Sequence, residues 1–160
     1  MKTSLKIGVA IAAMALVVLG VFIVGMATAE VAPGDRYEFT TTHGEAQMLT
    51  GGEWTNATAS IRLTLEVTEV GPRSIGFTVV GGEVTVGGET YTITGGFGVS
   101  TTKRLVILSG DASGGTHYAM LIANRWVFPM GSVSSTLRGV LKGEGVYAVF
   151  WVDGVVSKTA

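Results

Sequence analysis

Alternation of apolar and polar residues is the feature that most constrains how this chain folds. Between positions 60 and 67 every second residue is apolar, namely Ile61, Leu63, Leu65 and Val67. A period of two places such side chains on one face of a strand, as in an antiparallel sheet with one buried and one solvated face. We therefore predict that these four side chains face a core.

Glycine-rich turn signals recur at short intervals after this strand. They are Gly71-Pro72, Gly81-Gly82, Gly87-Gly88, Gly95-Gly96-Phe97-Gly98, Gly110 to Gly115, Gly143-Glu144-Gly145 and Asp153-Gly154. Glycine tolerates the positive φ of tight hairpin turns, so these signals predict many short strands. No helical periodicity is present to supply the crossovers of a parallel sheet. The chain is predicted to be all-β: an antiparallel meander of about 8–10 short strands, closed as a small barrel or folded as a sandwich.

The N-terminus carries a long apolar segment. Ile7 to Met26 is uncharged, and about twenty helical residues span the ~30 Å core of a bilayer. Lys2 and Lys6 precede it and should stay in the cytoplasm, which places the rest of the chain outside. Ala27-Thr28-Ala29 is an A-x-A pattern that favours cleavage after Ala29, whereas the length of the apolar run favours a retained anchor. Both outcomes remain open.

These features divide the chain into three parts. Residues 1–29 are a signal peptide or a signal-anchor helix that contacts the membrane, residues 30–34 are a linker containing Pro33-Gly34, and residues 35–160 are an extracytoplasmic β domain. The chain has no cysteine, which excludes disulfides, zinc-thiolate sites and thiol nucleophiles. Its net charge is −1 with no basic stripe, so no nucleic-acid partner is predicted.

No catalytic, cofactor or metal site emerges from the motifs. Gly110 to Gly115 resembles the nucleophile loop of chymotrypsin-like proteases, but Ser113 would need a histidine base within reach, and His43 and His117 are the only histidines. A hairpin loop of small residues is the favoured interpretation. Gly143 to Ala148 matches the dinucleotide-binding pattern, which requires a strand followed by a helix; here it joins two predicted strands.

One modification site is predicted. Asn56-Ala57-Thr58 is an N-x-T sequon on the exported side of the chain, so Asn56 is an acceptor if the host glycosylates.

Several predicted strands are apolar on both faces, most clearly residues 146–152. A sheet face can bury only one of the two stripes, so the other must be covered by a second sheet, an identical subunit or a ligand. We predict an interaction surface, which comprises Tyr147, Val149, Trp151, Trp126 and Phe128.

Three functions remain open at this point. The leading hypothesis is a non-enzymatic exported or membrane-anchored protein with a structural, adhesive or assembly role, able to self-associate or to bind a surface partner through strands. The alternative is a small β-barrel that binds an apolar ligand inside. An unrecognised enzyme is third. An interior void of several hundred Å³ would favour the ligand binder, whereas a filled core with a bare edge strand would favour assembly.

Overall fold

The structure, a computed structural model, describes residues 31–101, 105–123 and 132–159. These residues form eight strands, each antiparallel to the next, and the last pairs with the first to close a barrel. The strands are β1 Arg36–Thr50, β2 Glu53–Val70, β3 Ile75–Val86, β4 Glu89–Ser100, β5 Leu105–Ala112, β6 Thr116–Ala123, β7 Ser132–Gly143 and β8 Val146–Lys158. A 3₁₀ turn, Ser113–Gly115, joins β5 to β6.

The predicted all-β antiparallel meander is confirmed, and it is a barrel rather than a sandwich. Its strands are longer than predicted, since β2 has 18 residues and β8 has 13. The predicted helix in residues 1–29 lies outside the described residues. Within the described ranges, no helix has the length and apolar character needed to cross a bilayer.

The barrel interior is packed with apolar side chains from all eight strands. The predicted core stripe of β2 is confirmed, because Ile61, Leu63, Leu65 and Val67 are each at most 4% exposed. Glu69, where the alternation of β2 breaks, follows a register shift between Val67 and Glu69 against β3. The apolar alternation therefore corresponds to the buried face of β2, and its interruption at Glu69 corresponds to the register shift.

Some predicted turns are wrong. Gly81-Gly82, Gly95 to Gly98 and Asp153-Gly154 lie inside β3, β4 and β8. At Gly154 the reason is close packing: an added Cβ would lie 2.5 Å from Cζ of Phe39 inside the barrel, so glycine makes room for the ring. Gly87-Gly88 is confirmed as the β3–β4 turn, with φ of 62° and 88°.

A bulge in β1 determines the register in which the C-terminal half of β1 pairs with β8. The register against β2 shifts between Thr40 and Glu45. There the Thr41 hydroxyl accepts a hydrogen bond from the Ile61 N–H at 2.7 Å and donates to the Ile61 carbonyl at 2.9 Å, replacing the interrupted ladder. Beyond the bulge Glu45 lies directly opposite Trp151 of β8.

The chain entering β1 is hydrogen-bonded to the barrel. The N–H of Gly34 donates to Val67 O, and the N–H of Val67 donates to Asp35 O, both at 2.8 Å. Lys158 Nζ lies 3.0 Å from the Asp35 carboxylate. Burial would raise the pKa of Asp35, but the Ala32 N–H and the Lys158 ammonium outweigh it and hold that pKa below its ordinary value.

Candidate interaction surface

The outer wall of the barrel exposes several large apolar side chains. They are Leu49, Trp54, Val80, Phe97, Val99, Ile107 and Trp151. Single exposed apolar residues are ordinary on a protein surface, but contiguous ones mark interaction sites. Two groups meet this criterion. One is Phe97 and Val99 of β4 with Ile107 of β5, which lies directly opposite Val99; the other is Trp151 with the outward residues beside it on β8.

Three outward residues of β8, Tyr147, Val149 and Trp151, form what we call the β8 face. Tyr147 and Val149 are half-buried, whereas Trp151 is 38% exposed. Two neighbours fix the aromatic rings: the Trp151 indole N–H donates to Glu45 Oε2 at 3.0 Å, and the Tyr147 ring packs edge-on against Trp54 with centroids 5.7 Å apart. The β8 face is thus an ordered apolar surface on the outside of the barrel.

A shallow groove of about 680 Å³ adjoins the β8 face. We call it the outer groove; it is lined by Ile107, Ala119, Met120, Leu121, Arg138, Gly139, Val140, Val149, Phe150 and Trp151. Gly139 shapes its floor, because the Phe150 ring packs from the interior within 2.5 Å of where a Cβ would lie. Most of the lining is apolar, so water there has few polar partners.

Two opposite charges flank Trp151 on the outer wall. Arg138 of β7 lies directly opposite Trp151 on one side, and Glu45 of β1 lies opposite it on the other. Both residues are exposed. Among the described residues Arg138 forms no ion pair, while Glu45 accepts the Trp151 hydrogen bond and lies 3.7 Å from His43 Nε2.

The structure describes three of the five residues of the interaction surface predicted from the sequence. Tyr147, Val149 and Trp151 are brought together on one face, whereas Trp126 and Phe128 lie outside the described residues. Asn56 is exposed on the outer wall of β2, where Gln47 Nε2 donates to its side-chain oxygen at 3.4 Å. The sequon is therefore accessible, on the wall that β2 shares with β1.

The side chains that a protease triad would need are not brought together. Ser113 Oγ accepts a hydrogen bond from the Thr92 N–H at 2.9 Å, and His117 Nδ1 contacts Asp111 instead. Within the described ranges no three His, Asp or Glu side chains cluster as metal ligands would. Gly143 to Val146 is the turn between two strands, which leaves no helix N-terminus for a phosphate.

The interior of the barrel holds apolar side chains where a ligand-binding barrel would hold its ligand. Leu63, Leu108 and Phe150 are fully buried at its centre. The Tyr118 hydroxyl donates to Gly95 O at 3.1 Å, and burial, with the nearby Asp111 charge, raises the pKa of Tyr118 to about 12. The outer groove, in contrast, is a depression on the outside of the barrel.

Sequence reasoning missed Arg138, Glu45 and the outer groove. Arg138 stands alone as a charge between the apolar Leu137 and Gly139-Val140, which is a weak signal for an outward cation beside an apolar surface. Glu45 could not be placed, because the β1 bulge determines its register against Trp151.

The chain matches no family model and no curated protein.

Proposed function

We propose that this chain is an exported, non-enzymatic surface protein that acts in assembly or adhesion through the β8 face. It is either held in the membrane by residues 1–29, with the N-terminus inside, or secreted after cleavage following Ala29. The observation that carries the proposal is an ordered apolar surface on the outer wall, where a solvated antiparallel sheet would have polar side chains.

The energetics favour a covered β8 face. Full burial of one large apolar side chain contributes roughly 1.5–3 kcal/mol relative to exposure. Tyr147, Val149 and Trp151 obtain only part of this, since Trp151 is 38% exposed. Tyr147 and Trp151 are aromatic side chains that each carry one polar group on an apolar ring, and such residues are enriched in protein interfaces.

An apolar ligand is the second candidate, and the outer groove is the observation that favours it. Its volume is within the range of small-molecule sites, and Ile107, Leu121 and Val140 contribute apolar atoms. Inside the barrel, by contrast, apolar side chains form one packed cluster. Such a ligand and a protein partner would compete for Trp151.

The test replaces Trp151 by serine in the full chain, with Phe97→Ser as the matched control. Phe97 is 71% exposed on β4, four strands away on the opposite wall. We expect Trp151→Ser to reduce association, measured by light scattering in mild detergent, while its far-ultraviolet circular dichroism stays that of the wild type. Phe97→Ser should leave association unchanged. Equal association of wild type and Trp151→Ser would contradict the proposal.

A further inference from the structure

We infer that the partner of the β8 face is a second copy of this chain, bound about a two-fold axis that passes through Trp151 and Val149. This inference rests on the proposed function and names its partner. The grounds are the charges on either side of β8 together with the symmetry that most homodimers adopt.

β8 lies between β7 and β1, the two strands that carry the charges. Arg138 lies on one side of Trp151 and Glu45 on the other, each directly across a strand pair. Neighbouring strands are about 4.8 Å apart, so the two backbones are about 10 Å apart. Among the described residues no ion pair joins Arg138 to Glu45 within one copy, where Glu45 instead lies near Trp151 Nε1 and His43 Nε2.

A two-fold rotation exchanges the two sides of β8. It brings Arg138 of each copy toward Glu45 of the other, so one operation forms two ion pairs around an apolar centre. Glu45 is already oriented by the Trp151 indole at 3.0 Å. Its other carboxylate oxygen lies 3.7 Å from His43 Nε2, and the exposed side chain leaves room for a guanidinium beside it. An apolar centre with a charged rim is the usual anatomy of an interface.

The same symmetry accounts for Arg138, which forms no ion pair among the described residues and borders an apolar groove. Arg138 lines the outer groove with Leu121 and Val140, where an uncompensated charge is unfavourable if the groove is covered. A partner copy that supplies Glu45 both covers the apolar atoms and compensates the charge. A partner without an acidic group at that point would leave Arg138 unpaired.

Charge reversal in the full chain tests the symmetry. Arg138→Glu should dissociate the homodimer because like charges meet at both rims, and Glu45→Arg should do the same. Mixing the two single variants should form a heterodimer, since both rim contacts are then opposite in sign. Arg62→Glu, on the exposed outer wall of β2, is the control and should associate as the wild type does. Association that is indifferent to both reversals, or a mixture that stays dissociated, overturns the inference.

Cysteine chemistry separates this inference from the proposed function, because the native chain has no cysteine. In native membranes Val149→Cys should react slowly with maleimide and should be joined to a second copy by a short bismaleimide, whereas Thr94→Cys on the opposite wall should react readily and should not be cross-linked to a second copy. A protected Val149→Cys without a dimer overturns the two-copy inference and keeps the proposed function. A freely reactive Val149→Cys overturns both.

Discussion

Replacing Gly154 by alanine should destabilise the barrel, although the new side chain is a single methyl group. The added Cβ would lie 2.5 Å from Phe39 Cζ and 2.5 Å from the backbone oxygen of Thr40. Carbon atoms pack at about 3.5–4.0 Å, so the ring or the strand must move by about 1 Å. Phe39 is only 1% exposed, which leaves the ring no solvent to move into.

Overpacking of this kind costs about 1–3 kcal/mol, and the upper half is expected because one clashing atom belongs to the backbone. Gly81→Ala is the matched control: it also lies inside a strand, and a Cβ there meets nothing within 4 Å. That change should be neutral or stabilise by up to about 1 kcal/mol. Thermal unfolding by circular dichroism measures both. Equal melting temperatures for the two variants would refute the placement of Gly154 inside the barrel.

Three further predictions concern the core, the chain entry and the N-terminal segment. Leu65→Ala should destabilise by about 2–5 kcal/mol and the outward Thr64→Ala by less than about 1 kcal/mol in chemical denaturation; similar losses would mean that the β2 register is misread. The pKa of Asp35 is lower in the folded than in the unfolded state. The ionised Asp35 carboxylate therefore stabilises the fold at pH values above its unfolded pKa, and this stabilisation is lost as the pH falls through its folded pKa. The stability difference between wild type and Asp35→Asn should therefore shrink below about pH 4, and a constant difference would contradict it. Leu16→Arg should cost about 2.5–3.5 kcal/mol of membrane insertion, and normal membrane association of that variant would refute the segment's predicted role.

The fold class followed from local patterns because alternation records burial directly. Ile61 to Val67 predicted a one-sided strand, and every second side chain is buried. Gly87-Gly88 predicted a hairpin because consecutive positive φ values need glycine, and both are observed. These signals depend only on neighbours in the sequence, which is why they could be interpreted without a structure.

The misplaced turns show where local patterns fail. Gly154 is glycine because Phe39, more than a hundred residues away in sequence, occupies the space beside it. Glycine required by a turn and glycine required by a tertiary contact look alike in sequence. The β8 face was predicted in the same local way, since Tyr147 and Trp151 alternate with core residues, but its charged rim depends on pairing with β1 and β7.

Hydroxyl-radical footprinting of the protein in its native host tests the central claim most directly, because it reports whether the β8 face is covered. Trp151 and Phe97 are 38% and 71% exposed in the isolated chain, so Phe97 is the internal standard for an open surface. We predict that Trp151 is oxidised far more slowly than its exposure alone would give, and that denaturation removes the protection. Oxidation of Trp151 at the rate of an exposed tryptophan, with no change on denaturation, would contradict an interaction role for the β8 face.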